Sequence, residues 1–561
     1  MFRKFVKLTL ILILSYQTPL YSKSTSFNEL NSRELSNYFS GIVAFENQEN
    51  SDALKFFNSS KILINKHDPY LKRYVYSLVL ENKVSQSINV IKNSGDKVNI
   101  DFFNAYLLLI IDSLKKNNFE KAEKYLSKIS NLNKSDRLHP VITGILKDFI
   151  HTFNKKEILY NDVNFGNISL ISQALQRCYL KKDSTRSSFL NLINNPNGDY
   201  SRYKFFYANF LIANKRIDEV KDVFDGIEFI DSTLLLSQGK IWVKNNEYKK
   251  FTKIFSCSNH NDIVSEFLFL IANLYSSEKD LNKSNFYSNL SYYLNPKFKF
   301  NLALIVENYY ENKEYKKVKK IIQNFNDDDQ FYYWFRIKKE AQIIIEEDGA
   351  ENGINFITSK FNKIEKSNFK ILFDIANFYK NSKKYEKAVE YYSEIISILN
   401  EDLEIKSELL YRRGSSYERL KDYKKSDEDF INSLNIDPDN AYVLNYLAYS
   451  WLERNIKIDQ AMEMLKKAYL INNDDPYIID SIGWAYYLID NYTEAEKYLK
   501  RAVELMPDDP IVNDHYGDIL WKLDRKLQAR YFWRNVLRFD DSEEKLKKKV
   551  NNKLVEGLKK S

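Results

Sequence analysis

Small apolar residues recur at a fixed interval between large ones along the C-terminal half of the chain. They occupy positions 414, 448, 483 and 517 as Gly, Ala, Gly and Gly, at intervals of 34, 35 and 34 residues. Large apolar and aromatic residues surround each of these positions at helical spacing, and a second small residue follows, as Ala495 follows Gly483. A period near 34 indicates an array of repeated units rather than a single globular core.

Each unit is predicted to be a pair of helices. Small residues at Gly483 and Ala495 let two helix axes approach closely, because a larger side chain there would push the axes apart. Pro507 follows the second helix, at a place where that helix has ended. A single hairpin cannot bury its apolar face alone, so we expect successive units to stack on one another.

This pattern resembles the tetratricopeptide repeat, a helix-turn-helix unit. In the unit that begins at Pro476, the places that the family pattern specifies hold Ile479, Gly483, Tyr486, Ala495, Leu499, Ala502 and Pro507. The resemblance implies an all-α, right-handed superhelical solenoid. The small-residue positions continue back to Gly41, which predicts about fifteen helical hairpins, with the weakest pattern between residues 135 and 200.

Four parts of the chain are predicted from these patterns. Residues 1–22 are predicted to be a signal peptide, residues 23–260 degenerate repeats, residues 261–541 clear repeats, and residues 542–561 a basic capping helix. The last segment places apolar residues every four positions among lysines, which is typical of an amphipathic helix. Contact with a membrane or with an acidic partner is the alternative to a capping role.

The N-terminus has the composition of a secretory signal. Arg3, Lys4 and Lys7 precede a short apolar run, Leu8 to Leu14, and small residues follow at about Ser22. The run is too short to cross a membrane as a helix. We therefore expect a periplasmic protein, with retention of the segment as an N-terminal anchor as the alternative.

Composition and motifs argue against catalysis, cofactors and nucleic acid. The five histidines are scattered, and no metal-ligand, Gly-x-Ser-x-Gly or phosphate-loop motif is present. One Ser-x-x-Lys sequence, Ser367 to Lys370, has no companion motif and is assigned to chance. The excess of 84 basic over 76 acidic residues, +8, is mild for 561 residues, and no basic stripe with interleaved aromatics occurs. No metal, no cofactor and no enzymatic activity are expected.

Two cysteines, Cys178 and Cys257, fall in units separated by one whole repeat. Because a repeat in a solenoid touches only its neighbours, the sequence predicts two buried free thiols rather than a disulfide.

The resemblance also predicts a concave face lined by the first helix of each repeat. In the clearest units the lining places are rich in aromatic and polar residues, which suit the capture of a protein or peptide. The candidate binding residues are Tyr411, Tyr442, Asn445, Tyr449, Tyr477, Asp480, Trp484, Tyr487, Asp514, Asp518 and Trp521.

Two alternatives to a protein-binding groove remain. Trp484, Tyr449 and Trp521 would pack between repeats instead of facing a partner, or the aromatic lining would stack on sugar rings of the cell wall. Trp242, Trp451 and Trp533 fall at places that the pattern assigns to the core.

A narrower resemblance covers about a hundred residues, from "LNYLAYSWLERN" to "RYFWRNVL". This tract is similar to large bacterial envelope tetratricopeptide proteins, among them lipoprotein adaptors of carboxyl-terminal processing proteases. It implies an adaptor or scaffold in the cell envelope, with an envelope protease and its substrates as partners and peripheral membrane association. The chain lacks the lipid-accepting cysteine of those adaptors near its predicted cleavage region.

Overall fold

The computed structural model describes most of the chain from Ser32 to Leu558. The described residues are 32–65, 67–94, 100–130, 132, 136–159, 163–196, 198–225, 227, 232–326, 329–364, 368–399, 404–540 and 542–558. The predicted signal peptide, residues 1–22, lies outside the described residues.

The regular structure of the described residues is entirely helical, which confirms the all-α class. Two short 3₁₀-helices, Lys61–Asn65 and Ile322–Asn324, accompany thirty α-helices. The α-helices are α1 Ser32–Glu46, α2 Asn50–Asn58, α3 Asp68–Leu80, α4 Val84–Ser94, α5 Phe103–Lys115, α6 Phe119–Ser130, α7 His139–Lys155, α8 Asn167–Tyr179, α9 Thr185–Ile193, α10 Tyr203–Ala213, α11 Ile217–Asp225, α12 Leu234–Lys244, α13 Lys249–Ile254, α14 His260–Ser277, α15 Leu281–Leu294, α16 Phe300–Glu311, α17 Tyr315–Ile321, α18 Gln330–Asp348, α19 Ala350–Phe361, α20 Phe369–Asn381, α21 Tyr385–Ile398, α22 Glu404–Arg419, α23 Tyr423–Ile436, α24 Ala441–Glu453, α25 Ile458–Ile471, α26 Pro476–Leu488, α27 Tyr492–Leu505, α28 Pro510–Lys522, α29 Lys526–Val536 and α30 Glu544–Glu556.

The α26–α27 hairpin shows why this sequence folds into pairs of helices. Asp475 caps α26 by accepting hydrogen bonds from the first backbone N–H groups, and Pro476 takes the first helical position. Asp490 adopts a left-handed conformation, with φ 60°, in the tight turn to α27. A Cβ on Gly483 would lie 2.8 Å from Leu499 Cγ, so the two helices cross where only a very small residue fits.

The chain divides into two compact units, residues 1–340 and residues 341–561. In the N-terminal unit, consecutive helices from α1 to α12 pack on one another, and α13 packs on α10. The α14–α15 hairpin then packs against α3, α4, α5, α7 and α8. We call α14–α15 the inner hairpin. One continuous hydrophobic core extends from Leu71 to Phe298 and includes it.

Hydrogen bonds tie the inner hairpin to helices that are distant in sequence. Asn289 of α15 donates to the backbone carbonyl of Val79 at 3.0 Å. His260 Nε2 of α14 lies 2.8 Å from the carbonyl oxygen of Leu114. The earlier repeats of this unit therefore pack around a later part of the same chain.

The expectation of two free thiols was wrong, because Cys178 and Cys257 form a disulfide with their Cα atoms 5.6 Å apart. The expectation assumed that a repeat touches only its neighbours. Cys257, however, lies three residues before α14, which packs against α7 and α8. The inner hairpin thus brings Cys257 next to Cys178 at the end of α8.

The C-terminal unit is built as a more regular array of the hairpins α20–α21, α22–α23, α24–α25, α26–α27 and α28–α29, followed by α30. First helices of successive hairpins also contact one another, from α22 to α24, α26 and α28. This array therefore curves with its first helices on the inner side. Trp451 and Trp533 are buried in its cores, and Trp242 is buried in the N-terminal unit, which confirms their assignment to the core.

Candidate functional site

The first helices of the C-terminal unit form an inner face that carries every predicted binding residue. Tyr411 lies on α22; Tyr442, Asn445 and Tyr449 lie on α24; Tyr477, Asp480, Trp484 and Tyr487 lie on α26; and Asp514, Asp518 and Trp521 lie on α28. The structure separates them into side chains that are half exposed and side chains that are partly or fully buried.

Three apolar side chains on this face are half exposed and occupy the same place in consecutive repeats. Tyr442 is 55% exposed, Tyr477 is 56% exposed, and Ile511 is 50% exposed. Each is the second residue of its helix, so they follow one another along the N-terminal ends of α24, α26 and α28. We call these three residues the apolar row.

Trp484, by contrast, packs between repeats. Only 8% of this residue is exposed, and its ring stacks on His515 of the next first helix at a centroid distance of 4.1 Å. It also stacks on Tyr487 at 4.6 Å. Its indole N–H donates to Glu453 of the preceding repeat at 3.0 Å. The structure thus places Trp484 in the inter-repeat packing that the sequence left as an alternative.

Asp480 is buried against the same histidine. His515 Nδ1 lies 2.8 Å from Asp480 Oδ2, and both side chains are buried. Burial by itself lowers the pKa of His515, but the nearby Asp480, Asp514 and Asp518 carboxylates outweigh it and raise that pKa above its usual value. The pair joins α26 to α28.

Asp514 and Asp518 are held by the last helix of the chain. Lys553 of α30, itself buried, donates to Asp514 Oδ1 at 2.5 Å and to Asp518 Oδ1 at 2.6 Å. Lys549 adds a longer contact to Asp514 at 3.4 Å. Burial and the neighbouring Asp514 raise the pKa of Asp518, although Lys553 opposes the shift. These two aspartates support the packing of α30 and face no solvent.

The remaining predicted residues are partly buried. Tyr411 packs edge-on against Tyr446 at a centroid distance of 5.9 Å. The ring centroids of Trp521 and Trp533 are 5.3 Å apart, and the guanidinium of Arg530 lies over the Trp521 ring. Asn445, Tyr449 and Tyr487 are also half-buried on the inner face. Burial, followed by the charge of Glu453, raises the pKa of the Tyr449 hydroxyl.

Sequence reasoning missed a further set of inner-face residues at place 6 of each repeat. Arg412 and His515 each contact the preceding first helix, and Tyr446 does the same by packing on Tyr411. Residues 412, 446, 481 and 515 are 34, 35 and 34 apart, so the period itself would have found them. Lys549 and Lys553 likewise follow Asp514 and Asp518 by 35 residues, which places α30 where a further first helix would stand.

Two other kinds of feature do not occur within the described part of the chain. No cluster of three or more His, Cys, Asp or Glu side chains there is arranged to hold a metal ion. No helix there is long and apolar enough to cross a membrane.

The repeat pattern matches a known family in three segments. The family model for the tetratricopeptide repeat matches residues 369–398, 407–440 and 478–509. These segments coincide with the hairpins α20–α21, α22–α23 and α26–α27.

One curated relative is similar over a short stretch. The TPR repeat-containing protein PA4667 of Pseudomonas aeruginosa is 35% identical over 118 residues, which is 21% of this chain. The chain spans only 19% of that relative's length.

Several solved structures show partial similarity. A tetratricopeptide repeat protein from Parabacteroides merdae is 15% identical and covers 45% of this chain and 97% of its own, with a TM-score of 0.37. The thermophilic TPR protein TTC0263 of Thermus thermophilus is 18% identical and covers 34% of this chain and 100% of its own, with a TM-score of 0.30. MamA from Desulfovibrio magneticus is 19% identical and covers 31% and 97%, with a TM-score of 0.26.

Proposed function

We propose that this protein is a non-enzymatic scaffold that binds other proteins on the inner face of its C-terminal unit. The apolar row, Tyr442, Tyr477 and Ile511, carries the proposal. These side chains are half exposed although their helices are otherwise well buried, and regularly spaced exposed apolar groups on rigid helices are typical of interaction surfaces.

The buried part of the inner face supports this role by holding the row in place. The Trp484–His515 stack and the Asp480–His515 contact join α26 to α28 about one to two helical turns from Tyr477 and Ile511. A rigid surface loses little conformational freedom when a partner binds, so more of the contact energy contributes to affinity. Tyrosine suits such a surface because it brings a large apolar ring and a polar hydroxyl.

We further propose that the protein works in the bacterial cell envelope. The disulfide between Cys178 and Cys257 supports export, because disulfides persist mainly in oxidising compartments. The composition of residues 1–22 supports the same conclusion. An envelope protease and its substrates are the partners suggested by the resemblance of the C-terminal tract.

The experiment is a crosslinking pull-down of the full chain from intact cells. Tyr442→Ala combined with Tyr477→Ala should lower partner capture at least tenfold while leaving the melting temperature unchanged, because both rings are half exposed. The matched control is Tyr531→Ala, a tyrosine 58% exposed on the second helix α29, which should capture normally.

Undiminished capture by the double variant would contradict the proposed binding face. If the purified native protein co-sediments with cell wall and the double variant does not, the result would instead favour sugar binding by the same tyrosines.

A further inference from the structure

A group of cations lies on the inner face of the C-terminal unit, before the apolar row in the chain. Lys380 lies at the end of α20, and Arg412 and Arg419 lie on α22. These residues occur where the face begins, and the exposed carboxylate of Glu453 follows at the end of α24. The face therefore presents cations first and a carboxylate later.

Each of the two arginines contacts a glutamate on the same helix. Arg412 Nε donates to Glu408 at 2.6 Å, and its Nη1 donates to Asn377 at 3.1 Å. Arg419 Nε lies 3.6 Å from Glu418. These contacts balance both guanidinium charges within α22.

Lys380 differs from them because it makes no ion pair with any carboxylate of the described residues. Its ammonium lies over the ring of Tyr411, 5.8 Å from the centroid, and the residue is half-buried. Burial, with the repulsion of Arg412, lowers the pKa of Lys380 to about 8, while Glu408 opposes the shift and Arg419 adds to it. Lys380 is thus a half-buried cation without a carboxylate partner among the described residues.

We propose that Lys380, together with the ring of Tyr411, forms a subsite for an aspartate or glutamate side chain of the bound partner. This inference rests on the proposed function, since the acidic residue would belong to the segment that lies along the apolar row. A carboxylate at this place would accept charge-assisted hydrogen bonds and supply the missing counterion.

The order of Lys380 and Glu453 along the face gives the bound segment a direction. An acidic residue placed instead beside Glu453 would face a like charge, which disfavours that orientation. The partner chemistry is therefore an apolar segment with its acidic residue at the α20–α22 end.

Two labelled peptides of equal length test the subsite. One is a leucine-rich peptide with a single aspartate near one end, and the other has asparagine in place of that aspartate. Fluorescence anisotropy with the full chain should show the aspartate peptide binding about tenfold tighter, a difference of about 1.4 kcal/mol. Lys380→Met, which keeps an unbranched apolar side chain, should remove that difference without weakening the asparagine peptide.

The matched control is Lys466→Met, an exposed lysine of the second helix α25, which should change neither affinity. Equal binding of both peptides by the native chain, binding of neither, or an unchanged preference in Lys380→Met would overturn the subsite.

These failures are distinguishable from failure of the scaffold function. If both peptides bind equally, and Tyr442→Ala with Tyr477→Ala lowers the affinity of both, the binding face is supported and the acidic subsite is contradicted. If neither peptide binds, capture of the cellular partner by the same double variant decides the scaffold function separately.

Discussion

The two units of this chain bury their helical hairpins against different partners. In the N-terminal unit, the early repeats pack around the inner hairpin, and one core joins Leu71 to Phe298. In the C-terminal unit, hairpins pack mainly on their neighbours, and separate cores form around Phe430 and around Trp533. The sequence matches the repeat pattern closely where every hairpin packs against the same kind of neighbour. The match is weaker where each hairpin packs against a different part of the inner hairpin.

The difference also decides which unit offers a surface. The inner hairpin covers helices α3, α4, α5, α7 and α8 of the N-terminal unit with residues of the same chain. In the C-terminal unit, α30 packs on the last hairpin and buries Asp514 and Asp518, whereas the apolar row stays half exposed. Substitutions that break the contacts of the inner hairpin should therefore lower stability more than substitutions between neighbouring hairpins of the C-terminal unit.

The largest effect is expected from Glu266→Ala in the N-terminal unit. Glu266 is fully buried on α14 and accepts two hydrogen bonds from Arg202, at 2.8 and 2.7 Å. Removing it leaves a buried guanidinium among four phenylalanine rings without a counterion. We expect a loss of about 3–5 kcal/mol in the free energy of unfolding, measured by urea denaturation.

The control for this change is Glu219→Ala, which breaks a more exposed contact with Arg186 and should cost less than about 1 kcal/mol. Similar costs for the two variants would show that the inner hairpin is not held by this pair.

The next largest effect is expected from removing the disulfide. Cys178→Ser with Cys257→Ser opens a link between residues 79 apart in sequence and should cost about 2–4 kcal/mol. Hydrogen exchange should speed up in α14 and α15 and stay unchanged in α26 and α28, because the link lies within the N-terminal unit. Faster exchange in both pairs of helices would contradict that separation.

A smaller effect is expected from Gly483→Ala in the C-terminal unit. The added methyl group would lie 3.0 Å from the backbone nitrogen of Leu499, so the crossing of α26 and α27 must open. We expect a cost of about 1–3 kcal/mol in thermal or urea unfolding. The control is Ser481→Ala, two residues away on the same helix, which adds no volume; equal costs would mean that the crossing is loose.

The smallest effect is expected from pH. Because His515 has a raised pKa in the folded protein, its contribution to stability is fully present below its unfolded pKa of about 6.5 and is lost as pH rises through the folded pKa. The midpoint of urea unfolding of the C-terminal unit should therefore fall as pH rises above 6.5. His515→Asn should remove that slope, and a slope that persists in the variant would assign the effect to another group.

Much of the fold was predictable because each hairpin is determined by residues that are close in sequence. Gly483 and Gly517 predicted the helix crossings, and the structure places Leu499 and Trp533 against them. The candidate site was less predictable. Tyr442 and Tyr477 lie open to solvent, whereas Asp480, Asp514, Asp518 and Trp484 occupy equally suitable places on the first helices and are buried by the next repeat or by α30.

The sequence alone determined the helices, the pairing within each hairpin and the cores of the clear repeats, since these depend on residues fewer than about forty positions apart. Only the tertiary structure decided that α14–α15 would lie against the earlier repeats, that Cys178 would meet Cys257, and which inner-face side chains stay exposed. The physical reason is that small rotations between stacked repeats accumulate along the array, so contacts between distant repeats depend on the path of the whole chain.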